Sequence, residues 1–182
     1  MPAHRLPEHA GPHTPPAPVR PRARPVPSTA LDRFNGAPRE DAVRLLLACL
    51  PSPHWAGRIA THRPYPDLAA LLAAADEAVY DLAPPDLTAA LAAEPRPTLP
   101  KNTYAAARTA LGAAHTAYES RFGHAFVICL HGLLPTETAD HLLEGIRSRL
   151  ANDPDDERLV ATEELRRITR SRLALAFLES GP

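Results

Sequence analysis

"HAFVICLHG", residues 124–132, is the stretch on which the fold class turns. Phe126, Val127, Ile128 and Cys129 give it the aromatic, β-branched composition of a strand. A strand needs partners, and even an isolated hairpin is marginal in water. No second run of this kind occurs elsewhere in the chain. The segment is therefore expected to be a buried helix or an extended core segment. The fold class that follows is all-α, a single compact multi-helix domain of about seven or eight helices.

Both flanks carry the helical pattern. "TYAAARTALGAAHTAYESRF" (103–122) reads as one long helix stopped by Gly123. "TETADHLLEGIRSRL" (136–150) and "DDERLVATEELRRITRSRLALAFL" (155–178) are two more, separated by a stop and restart at Asp153 and Pro154. Upstream, "DLAALLAAADEAVYDL" (67–82) has Asp67 at its cap and Leu68, Leu71, Leu72, Ala75 and Val79 at inward spacing. "PPDLTAALAAE" (84–94) starts on Pro85 and Asp86. Ser52 caps another helix, with Pro53 first and Trp55 and Ile59 four apart. Pro38 sits just inside an earlier start, and Val43, Leu46, Leu47 and Leu50 supply that helix's apolar face.

Length and composition fit this reading. A chain of 182 residues favours one domain with a real core. Residues 1–30 differ from the rest: nine prolines, few large apolar side chains and a net charge of +3. Such a stretch cannot bury enough surface to offset its ordering entropy. It is expected to be a disordered Pro/Arg-rich tail, followed by the helical domain over 31–178 and a short end at 179–182. Formal net charge over the whole chain is −1, which gives no electrostatic case for nucleic acid or an anionic membrane. No segment approaches the roughly 20 apolar residues of a membrane span, and no secretory apolar core opens the chain. Cys49 and Cys129, the two cysteines, lie in the apolar runs "LLLACL" and "FVICL" and are expected to pack as small hydrophobes. That usage fits a reducing cytosol, so a cytoplasmic location is expected.

Chemistry-bearing motifs are few. Nine histidines invite a metal site, yet HExxH, CxxC and a paired carboxylate–histidine helix motif are all missing. Neither GxSxG nor a glycine loop for phosphate occurs. No metal and no cofactor are expected. "RRITRSR" (166–172) sits beside "TEE" as a mixed-charge helix face. "AALAAEPRPTLP" (89–100) is more pointed, because a helix ends on Glu94 and Pro95 follows at once. By position alone Glu94 reads as a solvent-facing residue at a helix end.

A set of segments taken in order says more. "SPHW" (52–55), "HRPYPDLAALLAAADEAV" (62–79), "ALAAEPRP" (90–97), "AYESRFGHAFVICLHG" (117–132), "IRSRLANDPDDE" (146–157) and "LRRITRSRL" (165–173) together resemble the 2-oxo-4-hydroxy-4-carboxy-5-ureidoimidazoline (OHCU) decarboxylase family. The resemblance covers about residues 31–175. It implies an all-helical fold, a homodimer, and cofactor-free decarboxylation of a small urate-derived ring to (S)-allantoin in purine breakdown. It places the family's catalytic histidine position on Glu94, with Pro95 matching. The family's binding run falls on Phe126, Val127, Ile128, Cys129 and Leu130, with His124 and Ala125 in place of its Phe-Pro pair. Its late arginine, expected to hold an anionic group of the substrate, falls on Arg172. The family's second catalytic glutamate has no counterpart between Pro95 and Tyr104. A histidine can donate a proton near neutral pH, whereas a carboxyl group of ordinary pKa is already an anion. Three readings stay open: a decarboxylase with an altered site, a catalytically impaired helical paralogue that binds a partner or a purine-like ligand, and a lyase with another substrate. Trp55 and Tyr118 are expected to pack in the core or half-buried at its edge, and Arg149 and Asn152 are expected to end one helix and order the turn before Asp155.

Overall fold

The computed structural model describes residues 29–100 and 103–178. The end at 179–182 and the expected tail lie outside the described residues, except for Thr29 and Ala30, which open the first helix. Eight helices follow among the described residues. They are α1 (Ala30–Gly36), α2 (Arg39–Cys49), α3 (Pro53–Thr61), α4 (Leu68–Tyr80), α5 (Pro84–Ala93), α6 (Ala105–Phe122), α7 (Pro135–Arg149) and α8 (Pro154–Leu178). The fold is all-α, with no strand among the described residues.

Local chemistry explains most boundaries. The Ser52 hydroxyl accepts from the Trp55 N–H at 3.3 Å, and the Asp67 carboxylate accepts from the Ala70 N–H at 2.8 Å. Each satisfies a backbone donor that the first helical turn leaves open. Gly123 ends α6 in the left-handed region, φ 74°, and its N–H donates to the Glu119 carbonyl at 2.9 Å. Two starts fall one residue from expectation. Pro38 is the cap of α2 and Arg39 its first residue, and α5 begins at Pro84, not Pro85. Proline has a helix-compatible φ and no N–H to lose, so it fits a cap and a first turn equally well.

The apolar faces bury as helical periodicity dictates, with one rotation. On α4, Leu71, Leu72, Ala75, Ala78 and Val79 are buried, while Leu68 is half-buried. On α2 the buried stripe is Ala42, Leu46 and Cys49, leaving Val43 and Leu47 at its flank. Helices on two sides cause this, since α2 packs against both α3 and α8. Trp55 is fully buried, and its indole N–H donates to the Ala75 carbonyl at 3.0 Å, tying α3 to α4. Truncating a core leucine such as Leu46 to alanine is expected to cost about 2–5 kcal/mol.

Helix α8 is the spine, about 37 Å long at 1.5 Å per residue, and packs against α1, α2, α4 and α5. These helices and α3 enclose the larger core, while α6 and α7 pair over a smaller one. The strand-like segment runs between the two as extended chain without a ladder partner. Successive side chains of an extended chain point to opposite sides. Accordingly Phe126 and Ile128 enter the smaller core and Val127 enters the larger one.

Candidate functional site

Helix α5 ends because Pro95 follows Glu94. The residue before a proline is driven out of helical geometry, and Glu94 has φ −71° and ψ 136°. This turn does not send the side chain to solvent. Glu94 is only 6% exposed, which corrects the expectation of a solvated helix end. The physical reason is an ion pair with α8. Arg172 donates from Nη1 to Glu94 Oε1 and from Nη2 to Oε2, each at 2.7 Å. Its Nη1 also donates to the Cys49 carbonyl at 3.1 Å, which fixes the guanidinium plane between α2 and α5. The Glu94 hydrogen bonds raise the Arg172 pKa above its ordinary value, against the opposing effect of burial. Desolvation by burial pushes the neighbouring Cys49 thiol up as well, while Arg172 pulls the other way.

A cavity of about 270 Å³ opens beside this pair. Glu94, Pro95, Val127, Ile128, Cys129, Leu130 and Arg172 all line it. Phe126 does not. Its ring is fully buried in the α6–α7 core, with centroids 5.1 Å from Tyr118 and 5.9 Å from His115. Pro97, His131, Ile168, Ser171 and Leu175 complete the lining and were not foreseen from the sequence. A signal for three of them existed: Ile168, Ser171 and Leu175 share the helical face of Arg172. Pro97 follows Pro95 by two along non-helical chain, the spacing of one side of an extended segment.

The wall formed by the 124–130 segment is held from behind. Arg149 Nη1 donates to the Val127 carbonyl at 2.5 Å, and the Cys129 N–H donates to Glu164 Oε2 at 2.7 Å. Arg149 is itself locked to Glu157, donating from Nε at 2.8 Å and from Nη2 at 2.5 Å. Asn152 Nδ2 donates to the other Glu157 oxygen at 2.7 Å, and the Tyr118 hydroxyl donates to Glu157 Oε1. Glu157 is fully buried and Arg149 7% exposed. Arg149 is the last residue of α7, but its side chain reaches into this buried cluster and does more than order a turn. Burial and the bond to Glu157 together push the Tyr118 hydroxyl well above the usual tyrosine range.

Chemically, the cavity offers apolar walls with a few convergent polar groups, the usual make-up of a small-molecule site. Among the described residues Glu94 is the one carboxylate lining it. Arg172, expected to face an anionic ligand group, has Glu94 as its partner instead. Two of its five N–H donors, on Nε and Nη2, have no acceptor among the described residues. No cluster of three or more His, Cys, Asp and Glu suited to a metal ion occurs among the described residues.

The OHCU decarboxylase family model matches residues 35–103 and 99–174. The fold is similar to a crystal structure of an OHCU decarboxylase in the presence of (S)-allantoin, with TM-score 0.65 and 23% identity, covering 78% of this chain and 99% of that one. It is also similar to a crystal structure of an (S)-allantoin synthase, with TM-score 0.67 and 17% identity over 81% of this chain. The chain spans about half of that synthase, 53% of its length. No curated protein matches the sequence. Two matched segments that together run from α1 to α8, on a helical scaffold shared with a solved OHCU decarboxylase, establish that this chain belongs to the OHCU decarboxylase family.

Proposed function

We propose that this chain carries out the family's cofactor-free decarboxylation of a urate-derived ureidoimidazoline to (S)-allantoin, as a single helical domain over residues 31–178. In that step the bond from the ring carbon to the carboxylate breaks and carbon dioxide leaves. The electron pair spreads into the conjugated C=N–C=O system, and one proton is then added at that carbon from one face. The protein's part is to hold the carboxylate out of the conjugated plane, to stabilise the developing negative charge and to deliver the proton. The supporting observation is convergence: Glu94 and Arg172 lie on the same cavity as residues 127–130. The cavity's size suits a small ring. A cytoplasmic setting belongs to this reading, in keeping with Cys49 and Cys129 both being free thiols, and so does a homodimer. Among the described residues no helix is long and apolar enough to cross a membrane.

One observation favours a second reading, a paralogue that binds a purine-like ligand without turning it over. The residue at the family's histidine position is a carboxylate already held by Arg172. A stereospecific assay on freshly prepared substrate separates the two, read against the substrate's spontaneous decay. The decarboxylase reading expects acceleration with enantiomeric excess in the allantoin formed. A racemic product at the spontaneous rate would sink it and leave the binding reading.

A further inference from the structure

Residues 127–130 and Arg172 line this cavity as the family pattern expects, but the charge balance there differs. Arg172 is the one arginine lining the cavity among the described residues, and both of its terminal nitrogens bond to Glu94. A guanidinium that faces an acidic ligand with its charge uncompensated forms short, charge-assisted bonds to a carboxylate. Here the compensating carboxylate is built into the chain. Its side chain is only 3% exposed, so it is not easily moved aside, whereas the guanidinium retains 34% exposure. The N–H donors left on Nε and Nη2 therefore work as part of a neutral pair. An incoming carboxylate would meet Glu94's charge at close range. A ureido or lactam carbonyl accepts the same N–H bonds without that repulsion, and Glu94 keeps lone pairs that accept from a ureido N–H.

We infer that Glu94 sets ligand specificity by neutralising Arg172, so that the cavity selects uncharged ureido or lactam rings over their carboxylate counterparts. The inference rests on the cavity being the ligand site. It favours the binding reading over turnover, because the decarboxylase substrate carries a carboxylate and the product does not.

The test uses the full chain and two matched probes, hydantoin-5-acetamide and hydantoin-5-acetate, which differ in charge and hardly in shape. Calorimetry measures affinity, and backbone amide NMR shifts at residues 127–130 report the location. The native chain is expected to bind the amide more tightly than the acetate by about tenfold or more, the scale of one charge-assisted hydrogen bond. Glu94→Gln removes the charge and keeps the shape, and should reverse that preference. Adding Arg172→Gln to it should abolish the gain for the acetate. Glu94→Asp keeps the charge and should keep the amide preference, which guards against a Gln variant that folds poorly. An acetate preference in the native chain, no gain in Glu94→Gln, or a reversal in Glu94→Asp would each overturn the inference. Shifts that appear only away from residues 127–130, or no binding of either probe to any variant, would instead remove the ligand site that both readings share.

Discussion

Glu94 and Arg172 lie 78 residues apart in the chain and meet end to end, with both oxygens and both terminal nitrogens engaged at 2.7 Å. The pair is unequally buried, 3% exposed on the carboxylate side and 34% on the guanidinium side. Removing each partner should therefore cost different amounts. Arg172→Ala strands a buried carboxylate, and a loss of about 3–5 kcal/mol is expected. Glu94→Ala leaves a cation that can reach water, and about 1.5–3 kcal/mol is expected, the value of one hydrogen bond to a charged group. Urea denaturation of the two variants measures the difference. Equal losses would mean that the burial asymmetry has no energetic consequence.

The buried Tyr118–Arg149–Glu157 cluster makes a second expectation. Glu157→Ala leaves Arg149 buried without its counter-charge, at a cost of about 3–5 kcal/mol. Tyr118→Phe keeps the ring but removes two hydrogen bonds, the one donated to Glu157 and the one accepted from Arg149 Nη2 at 3.1 Å, at a cost of about 1.5–3 kcal/mol for each. Arg149 also holds the Val127 carbonyl, so Arg149→Met should shift the backbone amide signals of residues 127–130. Thermal melts and amide spectra check both parts, and an unchanged spectrum in Arg149→Met would show that the cavity wall stands without it.

Proton delivery gives a third. Restoring an imidazole with Glu94→His places a neutral-pH proton donor at the family's position, and under the decarboxylase reading it should raise kcat by about tenfold or more. His131 lines the same cavity and is the imidazole already there. His131→Gln should lower any native turnover through kcat with little change in KM. The enantiomeric assay reads both variants. If Glu94→His gains nothing, the family's second carboxylate, which no lining residue replaces, is the limiting group.

A fourth concerns pH. Glu163 accepts from Arg166 at 2.7 and 2.8 Å, from the Tyr80 hydroxyl at 2.6 Å and from Arg167 at 2.9 Å. Arg166 foremost among them holds its carboxyl down to about 2, from an ordinary 4.5. A carboxyl whose pKa is lower in the folded chain binds its proton more readily when unfolded. Its stabilisation is therefore complete above about 4.5 and is lost as pH falls through about 2. Glu163→Gln should lower the melting temperature near neutrality and flatten its acid decline between those two values. A decline in the variant as steep as in the native chain would assign the acid sensitivity to other groups.

Much of this protein follows from neighbouring residues alone. Ser52 and Asp67 cap their helices, Gly123 stops α6, and Asp153 and Pro154 separate α7 from α8 because the hydrogen bonds involved span a few residues. The lack of any partner strand excluded a sheet and left residues 124–130 as an extended core segment. The Glu94–Pro95 break was equally legible, since a proline constrains the residue before it. The family's ordered segments then marked which residues would meet. Tertiary structure decided the rest. Local pattern gave Glu94 to solvent and the family resemblance gave Arg172 to a ligand, whereas the packing of α5 against α8 gave them to each other. The same holds for Phe126, which the extended chain's alternation turns into the α6–α7 core while its neighbour Val127 turns into the larger one. A capping bond is fixed by spacing along the chain. The partner of a buried charge is fixed by which helix end arrives beside it, and that position depends on the packing of the whole domain.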